Sequence, residues 1–181
     1  MTSYRFVLTS WIVIGTILGS CTTSGQPTLA GNSTLESSGG RIELGLDFEK
    51  VSYLYNEQIV ALLTIKNVGE NEVVINKRMA PNEETAAERL RDIVFSIRGP
   101  AGEFLIPKIL INVRAPGDSD FVSLSPGESV EKEIVLDKIY AFAQPGAYSV
   151  QAIYLNISDP SYARAWKGQL SSDLVTIRLE D

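Results

Sequence analysis

The stretch Pro145-Gly146-Ala147-Tyr148-Ser149-Val150-Gln151-Ala152-Ile153-Tyr154 decides the reading of this chain. After the Pro-Gly turn, Tyr148, Val150, Ala152 and Tyr154 fall at every second position, the spacing of a strand that buries one face. The same period recurs outward in both directions. Ile42, Leu44, Leu46 and Phe48 alternate; so do Ile93, Phe95 and Ile97, then Val130 and Ile134 with Leu136 in phase, and finally Val175, Ile177 and Leu179. Ile59 to Ile65 is more continuously apolar, which predicts a central strand covered on both sides. Turn chemistry separates these runs: Asn67 to Asn71 with Gly69, Gly99-Pro100-Ala101-Gly102, Pro126-Gly127 and Pro145-Gly146. Short strands with this punctuation predict an all-β, antiparallel, immunoglobulin-like β-sandwich.

Two further strands are predicted over Phe104 to Ile106 and Ile109 to Val113, with Pro107 between them limiting the pairing to an edge or bulge. Val73 to Ile75 begins another strand. One stretch reads as a short surface helix or long loop, Pro81 to Asp92, with acids toward its start and Arg89 and Arg91 toward its end. Asp137 to Phe142 reads as a short turn joining two strands.

Composition excludes several functions. The chain of 181 residues contains no histidine and one cysteine, and carries a formal charge of −6. Without histidine there is no imidazole base, no His metal ligand and no Ser-His or Cys-His pair. A single cysteine forms neither an intrachain disulfide nor a Cys-cluster metal site. The acidic balance argues against nucleic acid, whose phosphates need a basic face. No cofactor is expected.

The N-terminal region reads as an address. Arg5 is the single charge before an apolar run from Phe6 to Leu18, 13 residues long, which suits a secretory leader and is too short for a span of roughly 20 residues. It ends in Leu18-Gly19-Ser20-Cys21, which resembles the lipobox of bacterial lipoproteins. The resemblance implies a signal peptide over residues 1–20 and lipid on Cys21, leaving the protein anchored to a bacterial membrane of the cell envelope and facing the periplasm or exterior. Residues 21–40 then form a tether: of the 19 from Thr22 to Gly40, 13 are Ser, Thr, Gly or Pro, giving a root-mean-square reach of about 25 Å. Residues 41–181 form the sandwich domain, large enough to bury about two-thirds of its unfolded surface. Asn32-Ser33-Thr34 and Asn156-Ile157-Ser158 match the glycosylation sequon, without consequence in a bacterial lipoprotein.

A further resemblance rests on the motifs taken in order. They are Tyr55-Asn56-Glu57, Ile65-Lys66-Asn67-Val68-Gly69, Asp92-Ile93-Val94-Phe95-Ser96-Ile97, Leu124-Ser125-Pro126-Gly127-Glu128, Pro145-Gly146-Ala147-Tyr148 and Trp166-Lys167-Gly168. The series is similar to the non-catalytic β-sandwich that precedes the catalytic domain of deuterolysin-like metallopeptidases. It also resembles the bacterial intracellular proteinase inhibitors. The resemblance implies a module without activity; a His-Glu-x-x-His motif is absent from the sequence.

Candidate sites lie in the connections. Lys77 and Arg78 open the long connection to Arg91, and long connections on a rigid sandwich are where binding usually sits. Tyr162, Arg164 and Trp166 fall in the loop Asn156 to Gly168, where exposed aromatics would stack on a sugar or anchor a protein. The competing reading has Trp166 folded back to cap the core. Asp118 and Asp120 are a calcium candidate, set against a solvated acidic loop because EF-hand-like spacing is missing. Glu131 and Glu133 share an exposed strand face and would lack the burial that tunes a catalytic carboxylate. The expected function is therefore a non-catalytic, lipid-anchored module with a protein or glycan partner in the envelope. A proteinase inhibitor presenting a sandwich loop is the alternative, and a carbohydrate-binding module the second.

Overall fold

The computed structural model describes residues 40–81, 92–109, 114, 116–156 and 164–181. The chain divides into two units, Met1–Ala30 and Gly31–Asp181, and all described residues belong to the second. Among the described residues ten strands follow in order: β1 (Ile42–Phe48), β2 (Ser52–Leu54), β3 (Val60–Asn67), β4 (Val73–Asn76), β5 (Ile93–Arg98), β6 (Phe121–Leu124), β7 (Ser129–Val135), β8 (Gly146–Asn156), β9 (Gly168–Ser171) and β10 (Val175–Glu180). One helical turn, α1 (Leu136–Ile139), joins β7 to the corner before β8. No helix among the described residues is long and apolar enough to cross a membrane.

The strands make an all-β, immunoglobulin-like sandwich. One sheet runs β1-β3-β7 and the other β2-β10-β8-β5, with β9 also on β8; β4 and β6 form a separate ribbon. The period-two pattern accounts for the core. Tyr148, Val150, Ala152 and Tyr154 of β8 face Ile42, Leu44 and Leu46 of β1 and Ala61, Leu63 and Ile65 of β3 within one apolar cluster. β3 is the middle strand of its sheet, as its sequence predicts, but it is covered on one face only. Val60, Leu62 and Thr64 remain half-buried, because among the described residues no layer packs outside them.

Three other expectations change. Phe104 to Ile106 is not a strand: Phe104 makes one isolated bridge to Arg98, and Pro107 one to Tyr140. Pro107 has no N–H to continue a ladder, and the segment instead straps β5 to the α1 corner through Leu105 N–H to Ile97 O (2.9 Å) and Lys108 N–H to Ile139 O (2.7 Å). Ile109 lies outside any strand, and residues 110–113 fall outside the described residues. The pairing is antiparallel except for β2, which runs parallel to β10. The chain leaves the first sheet after Phe48 and joins the second in the same direction. The predicted helix between Pro81 and Asp92 lies outside the described residues; its flanks are described, with Pro81 bridging Ile93.

The turn residues do what their chemistry demands. Gly127 and Gly146 have φ of 86° and 137°, a region costly for side chains. At Gly146 a Cβ would also meet the ring of Pro100 at 2.7 Å. At the adjoining corner the Tyr148 hydroxyl donates to Gln144 O (2.7 Å) and accepts from Gln144 N–H (3.2 Å), the back-bond of a tyrosine corner. Its ring lies edge-on to Phe142, with centroids 5.0 Å apart.

β9 and β10 are one strand broken by a bulge. Ile153 opposes Ser171 and Val150 opposes Val175, so three residues face two. Ser172, which is buried, repairs the ladder: its hydroxyl accepts Ala152 N–H (3.0 Å) and its own N–H donates to Ala152 O (2.9 Å). Ser172→Ala would leave the Ala152 N–H buried without an acceptor. The expected cost is about 1–3 kcal/mol in urea unfolding, with faster hydrogen exchange at Ala152. An unchanged exchange rate there would refute the repair.

Candidate functional site

Three long connections leave the sandwich at one end: residues 77–92 between β4 and β5, the approach to β6, and residues 157–167 between β8 and β9. Their roots are locked together by polar groups that the core would otherwise reject. Asp92 is 3% exposed, and its carboxylate accepts four hydrogen bonds. These come from Arg78 Nε (2.6 Å), Arg78 Nη2 (2.8 Å), Asn76 Nδ2 (2.9 Å) and Ala80 N–H (3.0 Å). A buried charge is tolerated on those terms, paired and fully bonded. Asn76 adds an Asx turn, its Oδ1 accepting Arg78 N–H at 3.0 Å. The turn holds Met79, fully buried, at φ 41°, a left-handed conformation that costs a side chain of order 1 kcal/mol or more.

The second connection is tied to the first. Arg78 Nη1 also donates to Arg114 O, and Lys77 N–H donates to Asp120 O (2.8 Å). Asp120 in turn receives Arg114 through both guanidinium ends (2.6 and 2.8 Å) and Gly117 N–H (2.7 Å). The Arg114 guanidinium first, and the Gly117 N–H second, hold the Asp120 carboxyl below the usual carboxylate range.

The third connection closes on Tyr154. Its hydroxyl accepts Asn76 N–H (3.1 Å) and donates to Asn76 O (3.2 Å), and burial pushes the phenol far above its ordinary value. Trp166 stacks on the Tyr154 ring, with centroids 5.8 Å apart and planes inclined at 29°. Trp166 N–H donates to Val74 O (2.7 Å), and the Asn156 amide donates to Trp166 O. That side chain is therefore engaged within its own loop.

Of the sequence candidates, the structure brings Lys77, Arg78, Asp118, Asp120, Arg164 and Trp166 to this end of the sandwich and sorts them. Arg78 anchors Asp92. Trp166 is 3% exposed and serves as a core cap, the competing reading given for it above. Asp120 spends both oxygens on Arg114 and Gly117, while Asp118 is exposed. Among the described residues no group of three or more Cys, Asp or Glu is placed to hold a metal ion. Lys77 and Arg164 present exposed side chains. Tyr162, like Cys21, lies outside the described residues. Sequence reasoning missed Asp92, Asn76 and Arg114. The available signal was local: an Asn closing an apolar strand two residues before an Arg marks an Asx turn.

The fold defines a module of the immunoglobulin-like sandwich class. No protein-family model matches the chain, and no curated protein matches it. Among solved structures it is similar to the CARDB domain of the PF1109 protein from Pyrococcus furiosus, determined in complex with di-metal ions. The two are 12% identical, with 80% of this chain and 96% of that chain covered, and a TM-score of 0.41. It is also similar to part of a β-glucosidase from Erythrobacter marinus, at 12% identity, 77% of this chain and 15% of that chain, with a TM-score of 0.33. Superpositions this loose carry nothing about ligand or chemistry to this protein.

Two outcomes test the lock. Asp92→Ala removes the carboxylate paired with the Arg78 guanidinium, which is 11% exposed, and is expected to cost about 3–5 kcal/mol. The Arg78→Ala, Asp92→Ala double variant is expected to cost less than the sum of the singles in a double-mutant cycle. Asp120 gives a pH signature. A carboxyl with a depressed folded value contributes stability that is full above its unfolded value near 4 and is lost as pH falls through the folded value. The stability difference between wild type and Asp120→Asn is therefore expected to be constant above about pH 5 and to shrink as pH falls below about 4. A gap that persists unchanged in acid would contradict the Arg114 contact.

Proposed function

We propose that this protein is a non-catalytic binding module of the bacterial cell envelope, tethered by lipid on Cys21, and that it recognises a protein partner through the loop end of the sandwich. The observation that carries the reading is the fully bonded Asp92 carboxylate. It fixes the roots of the long connections, so loop residues are presented from a rigid base, the usual arrangement of a recognition surface. Lys77 and Arg164, exposed on those loops, are the contact residues of this reading.

Burial of Trp166 weighs against the carbohydrate alternative, because the ring is committed to Tyr154 and has no face left to stack on a sugar. The leader and lipobox motif support the envelope location. An inhibitor of secreted proteases would use the same rigid loop roots, and stoichiometric inhibition across a protease panel would favour it instead.

Cys21→Ser tests the tether: the variant is expected in the soluble fraction, and retention in the membrane fraction would overturn the anchor. The loop face is tested by pull-down from envelope extract with the full chain. Lys77→Glu with Arg164→Glu is expected to lower capture of the partner by about tenfold or more. Equal capture by the charge-reversed chain would move recognition off this end.

A further inference from the structure

The edges of the two main sheets are not treated alike. A sheet edge offers unpaired N–H and C=O groups to any extended chain, and proteins normally blunt it. On β7, register with β3 puts Lys132 opposite the inward-facing Leu63, yet Lys132 is exposed; an inward-pointing charge of this kind keeps other strands away. On β5 both ends of the edge are taken, by Pro81 at Ile93 and by Phe104 at Arg98. β2 is only 3 residues long. β1 is 7 residues long and pairs, among the described residues, with β3 alone. Its inward positions Ile42, Leu44 and Leu46 are all apolar, so nothing on that face repels a neighbour.

Beside β1 lies a groove of about 350 Å³ lined by Glu43, Gly45, Asp47, Thr64, Lys66 and Asp173. Gly45 keeps its floor low. Asp173 reaches it from the β9–β10 bulge, so the bulge contributes one side of the lining. The lining carries three carboxylates against one ammonium. These carboxylates are not gathered closely enough to hold a metal ion together. Glu43 and Asp47 are instead spread along the strand, about 13 Å apart at 3.3 Å per residue, the separation of two like-facing side chains on an extended peptide.

We propose that β1 and this groove form a second docking surface, which takes an extended, Lys- or Arg-bearing segment of a partner protein as an added strand. Main-chain pairing along β1 supplies the attachment, and the alternate carboxylates select basic side chains. This face is separate from the loop end and does not depend on the lipid anchor.

The test uses the full chain carrying Cys21→Ser, so that no acyl group enters the measurement. The probe is an alternating Lys–Val peptide about nine residues long, the length of β1 with one residue at either end; the control alternates Lys and Pro, with equal charge and no strand-pairing N–H on alternate residues. The Lys–Val peptide is expected to bind with slowed hydrogen exchange at β1 amides, and the control to bind on the order of tenfold more weakly. Gly45→Ala is expected to weaken binding about tenfold without lowering the melting temperature, because a Cβ there meets Thr64 at an ordinary 3.6 Å. A combined Glu43→Gln, Asp47→Asn and Asp173→Asn variant is expected to weaken it by a similar factor. Equal binding of the two peptides would reduce the effect to bulk charge attraction. No binding, or protection appearing at β7 or at the loop end, would overturn the proposal outright.

Discussion

The structure turns on one buried carboxylate. Asp92 sits where β5 begins, and its four acceptor bonds determine how the chain exits β4, how residues 76–80 fold over the core and how β5 enters its sheet. An apolar residue at position 92 would remove the desolvation cost, but would take one shared acceptor away from the Arg78 guanidinium, the Asn76 amide and the Ala80 N–H. The arrangement spends stability on definition: a fully bonded polar hub admits one geometry where an apolar patch admits several.

How far this was legible in the sequence follows from the range of each interaction. The strands were readable because burial alternates with period two, and the side chains at 42, 44, 46, 148, 150, 152 and 154 all obey it. Tyr148 was readable for the same reason, since a Pro-Gly turn fixes where its strand begins. β2, β6 and β9 were not, because strands of three or four residues show two periods at most; β4, equally short, was readable from its unbroken Val73-Val74-Ile75 run. The Phe104–Ile106 error has the opposite cause. Its apolar content is strand-like, but Phe104 and Ile106 are 56% and 82% exposed on a strap that makes single bridges.

The candidate site was half legible. Loop residues could be picked by type, yet their convergence depends on pairs such as Arg78 with Asp92 and Asn76 with Tyr154, which are 14 and 78 residues apart. No local pattern encodes such a pairing. That is also why the sequence left Trp166 open between partner contact and core cap. Only the position of Tyr154, on the strand that leads into the loop, settles which way the indole turns.

The crossing of the chain from one sheet to the other has a mechanical meaning. Arg41 O is hydrogen-bonded to Val68 N–H immediately before β1, so tension entering at Gly40 along the strand axis reaches seven paired residues of β1 together. Beyond the crossing, β2 lies parallel to the C-terminal strand and locks the same run of chain into the opposite layer. A pull in that direction loads the ladder in shear, where bonds share the force, and not as a zipper that opens one rung at a time.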